Sequence, residues 1–251
     1  MKKEKYIYVG DFQVGYLGRL SSLDLHSHVT WTLCLRIMGD FQVNFKGKLY
    51  SVDQAAIIPP KFKHSIYAED SLILFLFFEK HNKYFRNLYG DNEIHLLKDE
   101  FLSRYQNDFL DPNSLSKDRL KERFESLMEK FRPIEKQKIH MDEKILNVLQ
   151  ILDSWSKDSE PTLKQLSYKV LVSESRLSHL FSQEMGVPIS SYKIWKKIKR
   201  LAVALQSGSN LTEASQHAGF YDSSHFNRVF TQFFGINPKN VFLDAVVHWI
   251  T

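Results

Sequence analysis

Apolar and polar positions alternate in the manner of strands from Tyr6 to about residue 80. The runs Tyr6–Val9, Trp31–Ile37, Phe41–Phe45 and Leu72–Phe78 are rich in β-branched and aromatic residues, which suit a pleated, half-buried surface. Turn-forming clusters separate them at Met38-Gly39-Asp40, Lys46-Gly47-Lys48, Pro59-Pro60 and Glu69-Asp70. Many short strands at this spacing predict a small barrel or sandwich. From about residue 98 the apolar period changes to three or four. Leu120, Phe124, Leu127 and Phe131 form one helical stripe, stopped by Pro133. Glu135–His140 is polar and reads as a linker. Beyond it Ile145, Leu149, Leu152 and Trp155 make a new helix face. The pattern predicts an α+β multidomain chain with a β-barrel over 1–95, a helical linker segment over 96–139 and an all-α unit over 140–251.

The all-α unit contains an internal repeat. Thr162–Gly186 and Leu211–Gly235 each read as a short helix, a tight turn, a longer helix and a terminating glycine. Thr162 and Thr212 suit the N-caps of the short helices, and Ser173 and Asp222 or Ser223 those of the longer ones. Gly219 falls in the second turn, where positive φ favours glycine, and Gly186 and Gly235 stand where helices end. Leu163, Leu166, Leu177, Leu180 and Phe181 point inward in the first copy, as do Ala214, Ala218, Phe220, Phe226, Val229 and Phe230 in the second. A helix from about Ser190 to Ser207 joins the copies. It buries Tyr192, Trp195, Ile198, Ala202 and Leu205, and carries Lys193, Lys196, Lys197, Lys199 and Arg200 in its first half.

Charge adds little by itself. The net charge is +5, with 22 basic and 19 acidic residues in 1–139 and 12 and 10 in 140–251. Only the local placement of the cations on the joining helix suggests contact with nucleic-acid phosphates.

Ala214–Pro238, with its Gly219-Phe220 and Phe234-Gly235-Ile236-Asn237-Pro238 landmarks, closely resembles the signature of the AraC/XylS family of bacterial transcription regulators, and Leu180–Tyr192 resembles the end of that family's first helix-turn-helix copy. Ser215, and Val241-Phe242 after the last proline, depart from the usual pattern. The resemblance covers roughly residues 141–245 and implies a double helix-turn-helix domain. Its partners would be promoter or operator double-stranded DNA and, in an activator, RNA polymerase. The second helix of each copy would enter the major groove. Ser175, Arg176, Ser178 and His179, and then Ser223, Ser224, His225, Asn227 and Arg228, would face bases or phosphates, with Lys196, Lys197 and Arg200 on the backbone. Arginine pairs two-pronged with guanine and asparagine with adenine, so Arg176 and Arg228 are the first candidates for base contact.

In the first half, His26-Ser27-His28 and the later His64 resemble the metal-binding pattern of cupin barrels, a fold common as the sensor in this family. Thr32 or Leu33 stands where the cupin glutamate is expected, and Asp53 and Lys61 where glycines are usual, although Gly39 and Pro59 keep the turn landmarks. Without the carboxylate, the expectation is a cupin-like barrel with no metal or other cofactor. A small-molecule effector pocket would be lined by His26, His28, Trp31, Leu33, Leu35, Phe62, His64 and Tyr67. The stripe Leu120–Phe131 would pack on the barrel or join a homodimer.

Other classes fare worse. A cupin-type metal enzyme with a DNA-binding tail would need a full metal site. A DNA-repair methyltransferase would need more thiols than Cys34, the single cysteine, and no nucleophile elbow is present. The longest apolar run, Leu72–Phe78, is too short to span a bilayer, and no signal peptide is visible. A cytoplasmic regulator without enzymatic activity is therefore expected.

Overall fold

In chain order the first strands are β1 (Lys3–Val9), β2 (Gln13–Leu20), β3 (Leu23–His26), β4 (Trp31–Met38), β5 (Phe41–Phe45), β6 (Lys48–Ser51), β7 (Ala55–Ile58), β8 (His64–Ala68) and β9 (Ser71–Phe78), and the four runs expected from the sequence fall in β1, β4, β5 and β9. They are followed by α1 (Asn82–Tyr89), β10 (His95–Leu97), α2 (Glu100–Asp108) and α3 (Lys117–Lys130). This computed structural model describes residues 3–10, 13–79, 82–90, 92–131, 141–155, 159–243 and 245–250. The linker expected at Glu135–His140 lies outside the described residues.

Two sheets enclose the core of the N-terminal unit, called the sensor after its expected role. One is ordered β10-β7-β4-β9-β2-β1 and the other β3-β8-β5-β6. Strand β9 explains the layering, because all eight of its residues are buried. Ile73, Phe75 and Phe77 face inward, with Cys34, Val43 and Ile66. Leu72, Leu74, Leu76 and Phe78 face the opposite way, into a layer built with Phe85, Tyr105, Phe124 and Leu127 of the helices. A sheet covered on both faces reads as a continuous apolar run rather than an alternating one. The stripe Leu120, Phe124, Leu127 and Phe131 is buried in this layer, so it supports the chain's own sheet and is not free to join a second copy.

The C-terminal unit comprises α4 (Glu143–Ser154), α5 (Leu163–Lys169), α6 (Glu174–Met185), α7 (Ile189–Gln206), α8 (Leu211–His217), α9 (Ser223–Phe234) and α10 (Pro238–Phe242). Both short helices of the repeat begin with a capping box, Thr162 with Gln165 and Asn210 with Glu213. The cap of the second copy is therefore Asn210, two residues before the expected Thr212. The local sequence carries asparagine with glutamate three positions later, which satisfies two free amides reciprocally. Ser173 and Asp222 cap the longer helices, and Gly186 and Gly235 close them in the left-handed conformation.

The all-α expectation fails at the end of the chain. Residues Ala245–Ile250 form β11, which pairs in parallel with β1 from Lys3↔Ala245 to Tyr8↔Ile250. The His248 ring stacks on Tyr6 at 4.7 Å. The chain thus returns to extend the sensor sheet. One apolar cluster also runs without a break from Phe41, Val43 and Ile66 to Leu149, Phe181 and Trp195, so sensor and C-terminal unit share a core.

Candidate nucleic-acid interface and sensor site

Helices α6 and α9 occupy equivalent places in the repeat. Each buries one face, through Leu177, Leu180 and Phe181 in α6 and Phe226, Val229 and Phe230 in α9. Helical periodicity then turns the intervening residues outward. Ser175, Arg176 and His179 are exposed and Ser178 half-buried. Ser223, Ser224, Asn227 and Arg228 are exposed and His225 half-buried. Tyr221 was not anticipated as a surface residue, yet it is 90% exposed and lines a shallow depression with Asp222, Ser224, His225 and Arg228. The sequence hides this exposure, because Phe226 stands one turn inside the helix, where a partner for an apolar residue ahead of the N-cap would sit.

The connecting helix differs from expectation. Lys196 reaches Glu79 at 3.0 Å and Asp153 at 2.6 Å. Lys199 reaches the other oxygen of Glu79 at 3.0 Å. Lys193 and Lys197 share Glu160, each at 2.7 Å. Arg200 donates to the Trp155 carbonyl and lies 4.3 Å over its ring. Lys196, Lys197 and Arg200 therefore spend their charge inside the protein, because acidic and aromatic partners distant in sequence fold against this helix. Glu79 directly follows β9 and has a fully buried carboxylate, which also accepts from the Tyr192 hydroxyl at 3.2 Å. Sequence reasoning did not single it out, although an acidic residue terminating an apolar strand was visible.

The three sensor histidines do come together, with ring centroids 4.3–4.8 Å apart. All are buried, at 3%, 4% and 0% exposure for His26, His28 and His64. Each Nδ1 has a partner: the Asp24 carbonyl at 2.6 Å for His26, Thr32 Oγ1 at 2.9 Å for His28 and the Phe62 carbonyl at 3.0 Å for His64. Thr32, at the expected carboxylate position, thus orients a histidine. Burial, opposed by the Asp24 bond, pulls His26 down to about 4. Burial and the neighbouring imidazole take His64 to about 3, and burial with both neighbours holds His28 well below the ordinary imidazole range. Near neutral pH all three are uncharged.

An apolar cavity of about 90 Å³ lies beside this cluster, between sensor and C-terminal unit. His28, Tyr16 and Phe77 contribute from the sensor, and Leu201, Phe230 and Phe234 from α7 and α9. The Tyr16 hydroxyl is buried with no hydrogen-bond partner among the described residues. Of the expected pocket residues only His28 lines this space. Trp31, Leu33 and Leu35 face the helical layer instead. Strand β4 is apolar on both faces, and a one-residue phase error moves every side chain to the other side. Phe62 packs at the edge of the inner core, and Tyr67 is 46% exposed.

Comparison with known proteins agrees with this architecture. A family profile described as a helix-turn-helix domain matches residues 166–243. The chain is 28% identical over 100 residues to the arabinose operon regulatory proteins of Salmonella typhimurium and Escherichia coli. That stretch is 39% of this chain but only 36% and 34% of theirs, so the match spans about a third of the curated relatives. In fold, the chain is similar to ToxT from Vibrio cholerae over 94% of its own length and 96% of that chain, with a TM-score of 0.57 at 14% identity. In its paired, capped helices the C-terminal unit of this chain is therefore a helix-turn-helix domain, similar in sequence to that of the arabinose operon regulatory proteins.

Proposed function

We propose that the chain is a sequence-specific transcription regulator, not an enzyme, which binds double-stranded DNA through α6 and α9 and responds to a small molecule held between its two units. One observation carries this reading. Two equivalent helices, each capped and backed by its own core, present short polar and cationic side chains on their open faces. Arg176 and Arg228 are the base-contacting residues, and Ser175, Ser178, His179, Ser223, Ser224, His225 and Asn227 serve as adjoining contacts. Contact with RNA polymerase and homodimer formation belong to the same reading, but a dimer would need a face other than the buried stripe of α3.

The interdomain cavity supports an apolar effector. Its room of about 90 Å³ is several times the roughly 10–15 Å³ that one water needs. One ToxT structure is described as bound to an unsaturated fatty acid. Filling a cavity walled by both units changes how α9 sits on the sensor, and thereby the equilibrium between binding states.

Genomic fragment selection followed by fluorescence anisotropy tests the reading. Arg176→Ala and Arg228→Ala should each weaken binding to the selected site by about 1–3 kcal/mol. Lys197→Ala should leave affinity nearly unchanged, since its cation is engaged with Glu160. Full sequence-specific affinity in the double arginine variant would overturn the assignment.

A further inference from the structure

We infer that His26, His28 and His64 form a binding site for a divalent transition metal of the zinc class, placed beneath the seat of α9. One nitrogen from each ring lies within 4.8 Å of the others. Zinc–imidazole bonds of about 2.0–2.1 Å around a tetrahedral ion place the nitrogens about 3.3 Å apart. The converging rings reach that spacing by small rotations.

Hydrogen bonding fixes which nitrogen is available. The carbonyls of Asp24 and Phe62 only accept, so Nδ1 carries the proton in His26 and His64. Their Nε2 atoms therefore keep the lone pair. Metal-binding histidines are oriented in this way, with the second nitrogen donating to a carbonyl or carboxylate. The Nε2 of His64 is buried and has no hydrogen-bond partner among the described residues. A lone pair left so carries a desolvation penalty, which a cation at the centre of the cluster would remove. Three neutral imidazoles without a carboxylate favour zinc, cobalt or copper over magnesium or calcium. His28 also lines the cavity, which leaves room there for a fourth ligand.

The position gives the site a consequence. Backbone bonds from Asp24 N to the Gly235 carbonyl (2.8 Å) and from Ser27 N to the Gln232 carbonyl (3.3 Å) tie the histidine-bearing segment to the end of α9. A Cβ on Gly235 would overlap the Asp24 carbonyl and the His26 ring. An ion drawing His26 and His28 toward His64 thus holds the surface on which the second recognition helix rests. Metal binding itself is independent of the DNA-binding reading and is measured without DNA.

The test is titration of the chelator-stripped full chain with Co²⁺ alone. One equivalent should produce the visible absorption of four-coordinate cobalt, one equivalent of Zn²⁺ should abolish it, and Zn²⁺ should raise the melting temperature. His28→Gln and His64→Gln should lose the absorption. Thr32→Val keeps every ligand but removes the partner of His28, and should weaken zinc binding about 10–100-fold. Circular dichroism establishes whether each variant folds. Should the histidine variants not fold, the wild-type spectrum and the Thr32→Val affinity decide. No tetrahedral cobalt spectrum in the unmodified chain, undiminished zinc affinity in folded His64→Gln, or unchanged affinity in Thr32→Val would each overturn the site.

Discussion

The two helix-turn-helix copies solve the same turn with different residues. Gly219 follows the C-cap of α8 at φ 86°, and Leu171 follows that of α5 at φ 56°. Left-handed backbone costs a residue bearing a Cβ about 1–2 kcal/mol. Leu171 is 86% exposed, so it recovers little of that by burial. Leu171→Gly should therefore stabilise the chain by about 1 kcal/mol, read as a higher denaturant midpoint. Gly219→Ala should destabilise by a similar amount, since its Cβ would meet only Lys197 Cε at 3.7 Å and the cost is one of backbone alone. Equal midpoints for wild type and Leu171→Gly would refute the strain. Cys34 gives a separate expectation. Its thiol is fully buried, and burial raises its pKa far above the ordinary value. An aromatic disulfide reagent should leave the native protein unlabelled and react with one thiol once denaturant is added. Rapid labelling of the folded chain would show that the inner face of β4 opens readily.

At the scale of elements, legibility followed the range of the interactions. Helix periods, glycine stops and most caps depend on residues three or four apart, so they stood in the sequence. The partners of α7 did not. Glu79 lies 117 residues before Lys196, and nothing local separates a solvated lysine from one held in an internal pair. Strand phase in β4 was hidden for another reason, since both of its faces are apolar. The histidine trio was legible as a motif, whereas the carbonyl partners that fix its tautomers were not. Strand β11 was least visible, because a parallel pairing between the two ends of the chain leaves no short-range mark. It carries its own prediction. Ile250 is fully buried. Ile250→Ala should cost about 2–4 kcal/mol, seen as an earlier denaturant midpoint. A neutral result would mean that β11 does not hold in solution.

For the whole molecule, the question is whether sensor and C-terminal unit act as separate bodies or as one. The unbroken apolar cluster between them and the return of β11 to the sensor sheet favour one cooperative unit, with a single calorimetric transition. Glu79 is the ionic part of that junction, as a buried sensor carboxylate facing Lys196, Lys199 and Tyr192 of the connecting helix. Removing one member of a buried ionic group strands its partners and costs about 3–5 kcal/mol, whereas replacing the group by apolar residues of similar volume is often neutral. Lys196 keeps Asp153 as a second partner, which places Glu79→Gln at the lower end, about 3 kcal/mol. The triple variant Glu79→Gln/Lys196→Met/Lys199→Met should recover most of the loss, which thermal denaturation of all the variants would measure. Should Glu79→Gln instead melt in two separated steps, with only one of them displaced, the junction would be a docking contact between independently stable units. Effector or metal occupancy would then move the recognition helices as a rigid body instead of through the shared core.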